Sequence, residues 1–440
     1  MAVEKDKKKE LIKEEDYPLT HVPMSARKGL LPVAAVLVGF TFFTPTMVAG
    51  TQLGAAFKFS DLILILLAGN LILGVYVACM CAIGAKTGLT SVLLSRYSLG
   101  TGGAKWSDVL LGGTQVLWYA ITAEYMGQMF AVGLGLPGWR IFFIIFWAIV
   151  IGFSALYGFK SMAILGYIAF PLMVVLVVVV TWMAFRELGS IEAIFGDRNI
   201  TQTMTFTAAI TTVVGTFASG GTQSTNWSRF GRTAKIGFFA GFIAFFIGNA
   251  IMVFTGMIGG FAYQTADLLE VMILMGLIVW ALLILTLNIW TTNNAAAYAF
   301  GVAGAEMFGK EKKAPFVIGG VIIATVVAVL GVGAYFIPML GFFGTFIPPL
   351  GGIIIGDFLF SWKRRIPRLE NVKFKVIRIG PLLAYAVGCA AAHFGAMYNF
   401  GVPSLQGIIV AIFCVPLFNA IFKALGVNDT HEVQEDAEYV

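Results

Sequence analysis

Gly39-Phe40-Thr41-Phe42-Phe43-Thr44-Pro45 lies inside an apolar run from Leu30 to Ala56, with Gly50 and Gly54 beyond it. A helix of about 20 apolar residues crosses a bilayer, so the run is long enough to span. Pro45 lacks an amide proton and its ring clashes with the preceding turn, which predicts a membrane helix broken part-way through. A second stretch of the same character, Gly215-Thr216-Phe217-Ala218-Ser219-Gly220-Gly221-Thr222, closes the run that starts at Met204. Glycine in membrane helices often does no more than let neighbours approach, so neither stretch decides anything alone. They fall in the first and sixth apolar runs. Those are the positions of the discontinuous helices of an inverted repeat, whose unwound backbone meets substrate and ion at mid-membrane.

Composition agrees that the surroundings are lipid. Of 440 residues, 59% are hydrophobic and 12% charged, with a mean hydropathy of +0.88; soluble domains carry roughly 25% charged residues. Twelve runs qualify as spans: Leu30 to Ala56, Leu62 to Ile83, Asp108 to Val132, Arg140 to Tyr157, Met162 to Met183, Met204 to Ser219, Ile236 to Ile258, Val271 to Phe300, Pro315 to Val332, Tyr335 to Leu359, Gly380 to Phe394 and Leu405 to Phe422. An odd-numbered unit repeated in sequence enters the membrane from the other side, so ten spans make two five-helix repeats of opposite topology. The expected fold is an all-α integral membrane protein with 12 transmembrane helices: a tail (1–29), a first repeat (30–184), a second repeat (204–360), a polar linker (361–379), two further helices (380–422) and a second tail (423–440).

With the N-terminus inside, 25 of the 29 Lys and Arg residues fall on the inner side of these spans, and only Lys58, Arg140, Arg186 and Arg198 do not. That is the positive-inside pattern, which predicts that both termini are cytoplasmic; the expected location is the plasma (inner) membrane. The net charge of +6 belongs to those loops and implies no nucleic-acid partner. The first 28 residues have no apolar core and read as a cytoplasmic tail rather than a signal peptide. Cys79, Cys81, Cys389 and Cys414 sit in apolar stretches and read as small core residues. His21 and His431 fall in the polar tails, which leaves little from which to build a metal centre.

The eighth run contains Leu287-Asn288-Ile289-Trp290-Thr291-Thr292-Asn293-Asn294, in which Asn288, Thr291 and Thr292 share a helix face. Hydroxyl and carbonyl oxygens suit a hard monovalent cation without any carboxylate, although such residues also serve as glue between helices. On the third run Gln115 and Trp118 share a face; an amide matches the edge of an amide-like heterocycle, and an indole offers a stacking surface. Phe43 and Phe217, beside the two breaks, would add aromatic walls. No Lys, Arg or Asp lies at mid-depth of the first, third, sixth or eighth run, so the expected ligand is neutral and planar. Glu124 and Asp357 lie nearer the ends of their helices and read as packing partners, with proton coupling as the other role open to them. An intramembrane enzyme would want a cluster of His, Asp or Glu, and the runs hold none.

Several of these segments also carry a likeness: Ser25 to Gly29, Gly39 to Phe43, Ile83 to Thr90, Leu111 to Trp118, Arg229 to Arg232, Leu287 to Asn293, and Ile347-Pro348-Pro349 with Gly351-Gly352. In this set the chain resembles the cytosine permeases of the nucleobase:cation symporter family, which also holds hydantoin and allantoin transporters. The resemblance implies a LeuT-type five-plus-five fold with discontinuous helices 1 and 6, and symport of a nucleobase, cytosine first, with sodium; a monomer is expected. By the same resemblance Gln115 would hydrogen-bond the base, Trp118 and Phe217 would flank it, and Phe43, Thr216 and Asn288 would complete the pocket. Sodium would take carbonyls of Gly39, Phe42 and Asn288 and hydroxyls of Thr291 and Thr292. The residues themselves do not choose sodium over a proton. Leu117, Tyr119 and Thr216 depart from the family pattern, which keeps another oxopyrimidine, a hydroxymethylpyrimidine, a purine, a hydantoin or allantoin open as substrate.

Overall fold

The computed structural model describes residues 17, 19–156, 159–196, 204–310 and 312–440. Residues 1–16 of the N-terminal tail and Arg198 lie outside the described residues. The helices, in order, are α1 (Leu30–Thr41), α2 (Thr44–Ala56), α3 (Phe59–Thr87), α4 (Ser91–Gly133), α5 (Arg140–Ala155), α6 (Phe159–Leu188), α7 (Phe206–Gly215), α8 (Ala218–Thr222), α9 (Ala234–Tyr263), α10 (Ile278–Met307), α11 (Ala314–Val329), α12 (Val332–Ser361), α13 (Ile379–Met397) and α14 (Pro403–Ala424). Among the described residues, eight helices are long and apolar enough to cross a membrane, and the bent pair α1–α2 makes nine. The third, sixth and ninth runs are largely helical too, in α4, in α7 with the start of α8, and in α11, but are not among these nine.

Local chemistry sets the ends. Gly88 closes α3 at φ 74°, a conformation that costs glycine nothing. Thr90 then caps α4 by accepting from the Leu93 amide at 3.1 Å. Thr205 caps α7 in the same way, through Ala208 N at 3.3 Å. The first span breaks at Phe42–Phe43, where α1 and α2 diverge by 52°, and Pro45 sits in the first turn of α2, where its missing amide costs no bond. The sixth breaks at Thr216–Phe217, between α7 and α8.

The outer faces of α5, α6 and α11 are apolar and exposed, Ile149, Phe153, Val178, Trp182, Ile322 and Val326 among them, as lipid contact requires. Inside, small residues let backbones touch. Gly50 and Gly54 of α2 lie against the carbonyls of Val253 and Met257 on α9, while Gly256 and Gly260 of α9 lie against those of Met47 and Thr51. The first half of α9 packs through Gly237 and Gly241 onto Cys81 and Ala78 of α3. Its middle, Ile243–Gly248, is π-wound, and Gly248 there abuts Thr41 at the end of α1.

The fold is helical as expected, with one small addition: β1 (Val372–Lys373) of the linker pairs antiparallel with β2 (Glu432–Val433) of the C-terminal tail. The described parts of the tails pack against the bundle. Asp429 accepts from the amides of Ile379 and Gly380 at 2.9 and 2.7 Å, capping α13, and Ile366 and Val440 exchange backbone bonds. His431 accepts from Lys375 N at 3.1 Å and faces Tyr97 O at 2.9 Å. His21 bonds Thr87 O at 2.7 Å and accepts from Leu369 N at 3.4 Å. Both described ends of the chain therefore lie on one end of the bundle.

Candidate substrate and cation site

At the level of the two breaks, α1, α4, α8 and α10 converge on a cavity closed down to about 10 Å³, roughly the room one water needs. Phe43, Gln115, Trp118, Thr216 and Phe217, all expected there, line it together with Thr292 from the expected cation set. Phe40, Gly220, Asn293 and Ala296 complete the wall without having been singled out. Phe43 touches Trp118 edge-on at 5.3 Å between centroids and Phe217 at 5.6 Å, while Phe40 stands edge-on to Phe217 at 5.2 Å. These are favourable aromatic spacings. The rings hold the space shut.

The polar edge is built from two amides. Gln115 Nε2 donates to Ser219 Oγ at 3.2 Å, and Ser219 also accepts from Gln223 at 3.2 Å. Asn293 Oδ1 accepts from the Thr122 hydroxyl at 2.5 Å, which leaves its buried Nδ2 without a hydrogen-bond partner among the described residues. A buried amide donor left free is costly and is suited to a ligand carbonyl. Thr216 is already engaged, donating to Val213 O at 2.7 Å and accepting from Asn249 at 3.2 Å. Among the described residues, no charged side chain lines the cavity. Leu117 and Tyr119, two of the departures from the family pattern, are not in its wall either; Tyr119 donates to Ala148 O at 2.6 Å behind it.

Asn288 stands elsewhere. Its Oδ1 accepts from Thr44 N at 2.8 Å and from Thr44 Oγ1 at 2.7 Å, and its Nδ2 donates to Phe42 O. One side-chain amide thus splices the broken first span, taking the place of the backbone bonds lost there. The hydroxyls of Thr291 and Thr292 reach Asn288 O at 2.7 and 3.0 Å. The expected cation ligands on Phe42, Asn288, Thr291 and Thr292 are therefore one cluster of uncharged oxygens, and Gly39 lies in the last turn of α1, ahead of Phe42. Such a donor set fits a hard monovalent ion.

Glu124 and Asp357 are both anchored. Glu124 pairs with Arg140 at 2.5 Å and accepts from Gly333 N at 2.6 Å. Asp357 holds the Arg378 guanidinium at 2.9 and 3.0 Å and accepts from Trp362 at 2.8 Å.

Residues 21–420 match the family described as permeases for cytosine/purines, uracil, thiamine and allantoin. The chain belongs to this family. It is 38% identical over 375 residues to the cytosine permease of Escherichia coli (strain K12), covering 85% of this chain and 88% of that one. Mhp1, a nucleobase-cation-symport-1 family transporter, matches in its closed conformation with bromovinylhydantoin bound at TM-score 0.74 and 17% identity, over 94% of this chain and 96% of Mhp1. Inward-facing Mhp1 gives 0.75 at 18% identity, over 92% and 93%. The protein is a membrane permease and not an enzyme, and its helices take the fold of Mhp1.

Proposed function

We propose that this permease imports a neutral nucleobase, cytosine before others, by symport with sodium. It would work by alternating access as a monomer of twelve spans in the plasma (inner) membrane, both termini cytoplasmic. The carrying observation is that Thr292 belongs both to the wall of the aromatic cavity and to the oxygen cluster around Asn288. An ion drawing on that hydroxyl fixes one edge of the substrate site, so the two ligands favour the same conformation and each raises the other's affinity.

The uncharged wall supports a neutral substrate. Gln115 offers a donor and an acceptor to the ring edge, Asn293 Nδ2 offers a donor to a ring carbonyl, and Trp118, Phe217 and Phe43 offer faces. Cytosine presents a matching carbonyl, ring nitrogens and exocyclic amine. The relative named cytosine permease, at 38% identity, favours the same base.

The test is thermal stabilisation of the detergent-purified protein across a panel of nucleobases, each with sodium and with potassium. A ligand that binds only the folded state raises its apparent stability. A shift with cytosine that needs sodium is expected. A shift with another heterocycle and none with cytosine moves the substrate, and equal shifts in potassium overturn the sodium coupling.

A further inference from the structure

Three contacts fix an antiparallel register between α4 and α10. Gly133 lies against Leu282, the Thr122 hydroxyl bonds Asn293, and a Cβ on Gly112 would stand 2.9 Å from that of Ala303. One turn further along both helices, on the end of the bundle that carries the termini, come Asp108 and Glu306. They are 5% and 4% exposed, and the Glu306 carboxylate acts on Asp108 across the α4–α10 contact. Glu306 Oε1 accepts from the Thr90 hydroxyl at 2.8 Å, but Glu306 Oε2 and Asp108 Oδ1 are buried with no hydrogen-bond partner among the described residues. The other charges facing the pair are Arg96 and Lys105 of α4 and Arg229, which follows the short helix Thr225–Ser228.

Two adjacent buried carboxylates, each with an empty lone pair facing protein, are not stable as two anions. Two free oxygens and one hydroxyl are too few to envelop a metal cation. One proton is enough, because it turns one carboxylate into an O–H donor for the other. We propose that Asp108 and Glu306 form a proton-binding site, holding one proton between them while this end of the bundle is closed.

The site is wired to the broken sixth span. Thr90, which donates to Glu306, precedes Ser91, whose hydroxyl reaches Thr222 O at 2.7 Å and Thr225 Oγ1 at 2.6 Å and whose amide bonds Asn226 Oδ1 at 3.2 Å. Movement of the 222–226 segment away from Ser91 would uncover Glu306 to water and free the proton on the inner side. The substrate site begins two turns up α4 at Gln115, about 10 Å away along the axis, so the proton and the substrate do not share ligands. The inference does not depend on which heterocycle is carried.

The experiment is infrared spectroscopy of the full-length protein in the absence of substrate, in ordinary and heavy water, for the unmodified chain, Asp108→Asn and Glu306→Gln. Each amide is isosteric with the neutral acid, and circular dichroism checks that the fold survives. Expected is a deuterium-sensitive carboxylic-acid stretch at neutral pH that disappears in both variants. It should also disappear in the unmodified protein as pH is raised, a measurement that stands if a variant fails to fold. Absence of that band in the unmodified protein overturns the proposal, as does its persistence in both folded variants. Stabilisation of the unmodified protein by potassium over choline, lost in both variants, would put a metal cation in the proton's place and also overturn it.

Discussion

Asn288→Ala separates sodium binding from the integrity of the first span. The substitution removes a side chain that bonds Thr44 N at 2.8 Å, Thr44 Oγ1 at 2.7 Å and Phe42 O, while the backbone carbonyl of residue 288 stays in place. Two buried backbone groups lose their partner at roughly 1–3 kcal/mol each. The freed Thr44 hydroxyl can turn toward Phe42 and recover part of that, so a loss of about 2–3 kcal/mol is expected in sodium-free buffer. Sodium should respond in the opposite sense. In the parent protein an N–H donor points at Phe42 O, where the cation would bind, and the ion must displace that bond, worth about 1 kcal/mol net. With the amide gone, half-saturating sodium falls about fivefold, the factor that 1 kcal/mol represents. The assay is a sodium titration of melting temperature in detergent, at constant ionic strength with choline. An unchanged or higher half-saturating sodium, with sodium-free melting intact, would refute the bridging role of Asn288 and the place of Phe42 in the cation site.

Thr292→Ala should do the reverse, raising half-saturating sodium and weakening base binding together, because its hydroxyl serves both; a change in one titration without the other counts against their coupling. Gln115→Ala gives up one 3.2 Å bond to Ser219, so it should fold normally and lose the cytosine-dependent shift; uptake at the parent rate would remove Gln115 from the site. Gly54→Val forces a side chain onto the Met257 carbonyl and is expected to cost about 1–3 kcal/mol or more, read as a lowered yield of monodisperse protein in detergent. Burial holds the imidazoles of His21 and His431 below the ordinary value of 6.5, so their unprotonated form favours the docked tails. That contribution is complete above about pH 6.5 and is lost as pH falls through the lowered values. Proteolysis of the C-terminal segment should accelerate in mild acid, and less so in His431→Gln; equal rates at pH 8 and pH 5.5 would be contrary.

Nine of the spans and the two breaks were legible because apolar length and Gly/Pro chemistry act locally: Pro45 marks the start of α2, and Gly215 the end of α7. Phe43 and Phe217 could be picked out beside the two breaks, and Gln115 and Trp118 as an amide and an indole sharing one face of the third run; all four line the cavity. Asn293 lay in the quoted polar cluster, but only the α4–α10 register shows that its Oδ1 is taken by Thr122 and its Nδ2 is free. The Asp108–Glu306 pairing depends on the same register, across 198 residues of chain, and no spacing in the sequence hints at it. Asn288 shared a face with Thr291 and Thr292 as expected, yet its side chain turns to the break in α1–α2 rather than to the cavity, a choice made by tertiary contact. The β1–β2 pairing was hidden because a two-residue strand has no pattern to read.

The π-wound turn Ile243–Gly248 has a consequence for insertions and deletions. A π-turn takes up one extra residue without rotating the helix on either side of it, so Gly237 and Gly241 keep facing α3 while Gly256 and Gly260 keep facing α2. Deleting one residue within 243–248 would relax the turn to α and leave both glycine faces in phase. Deleting a residue a turn later, between Asn249 and Val253, would swing everything beyond it by about 100° and turn Gly256 and Gly260 away from Met47 and Thr51. The chain can thus lose a residue at one level of α9, the level of the break in the first span, without turning either glycine face away from its partner.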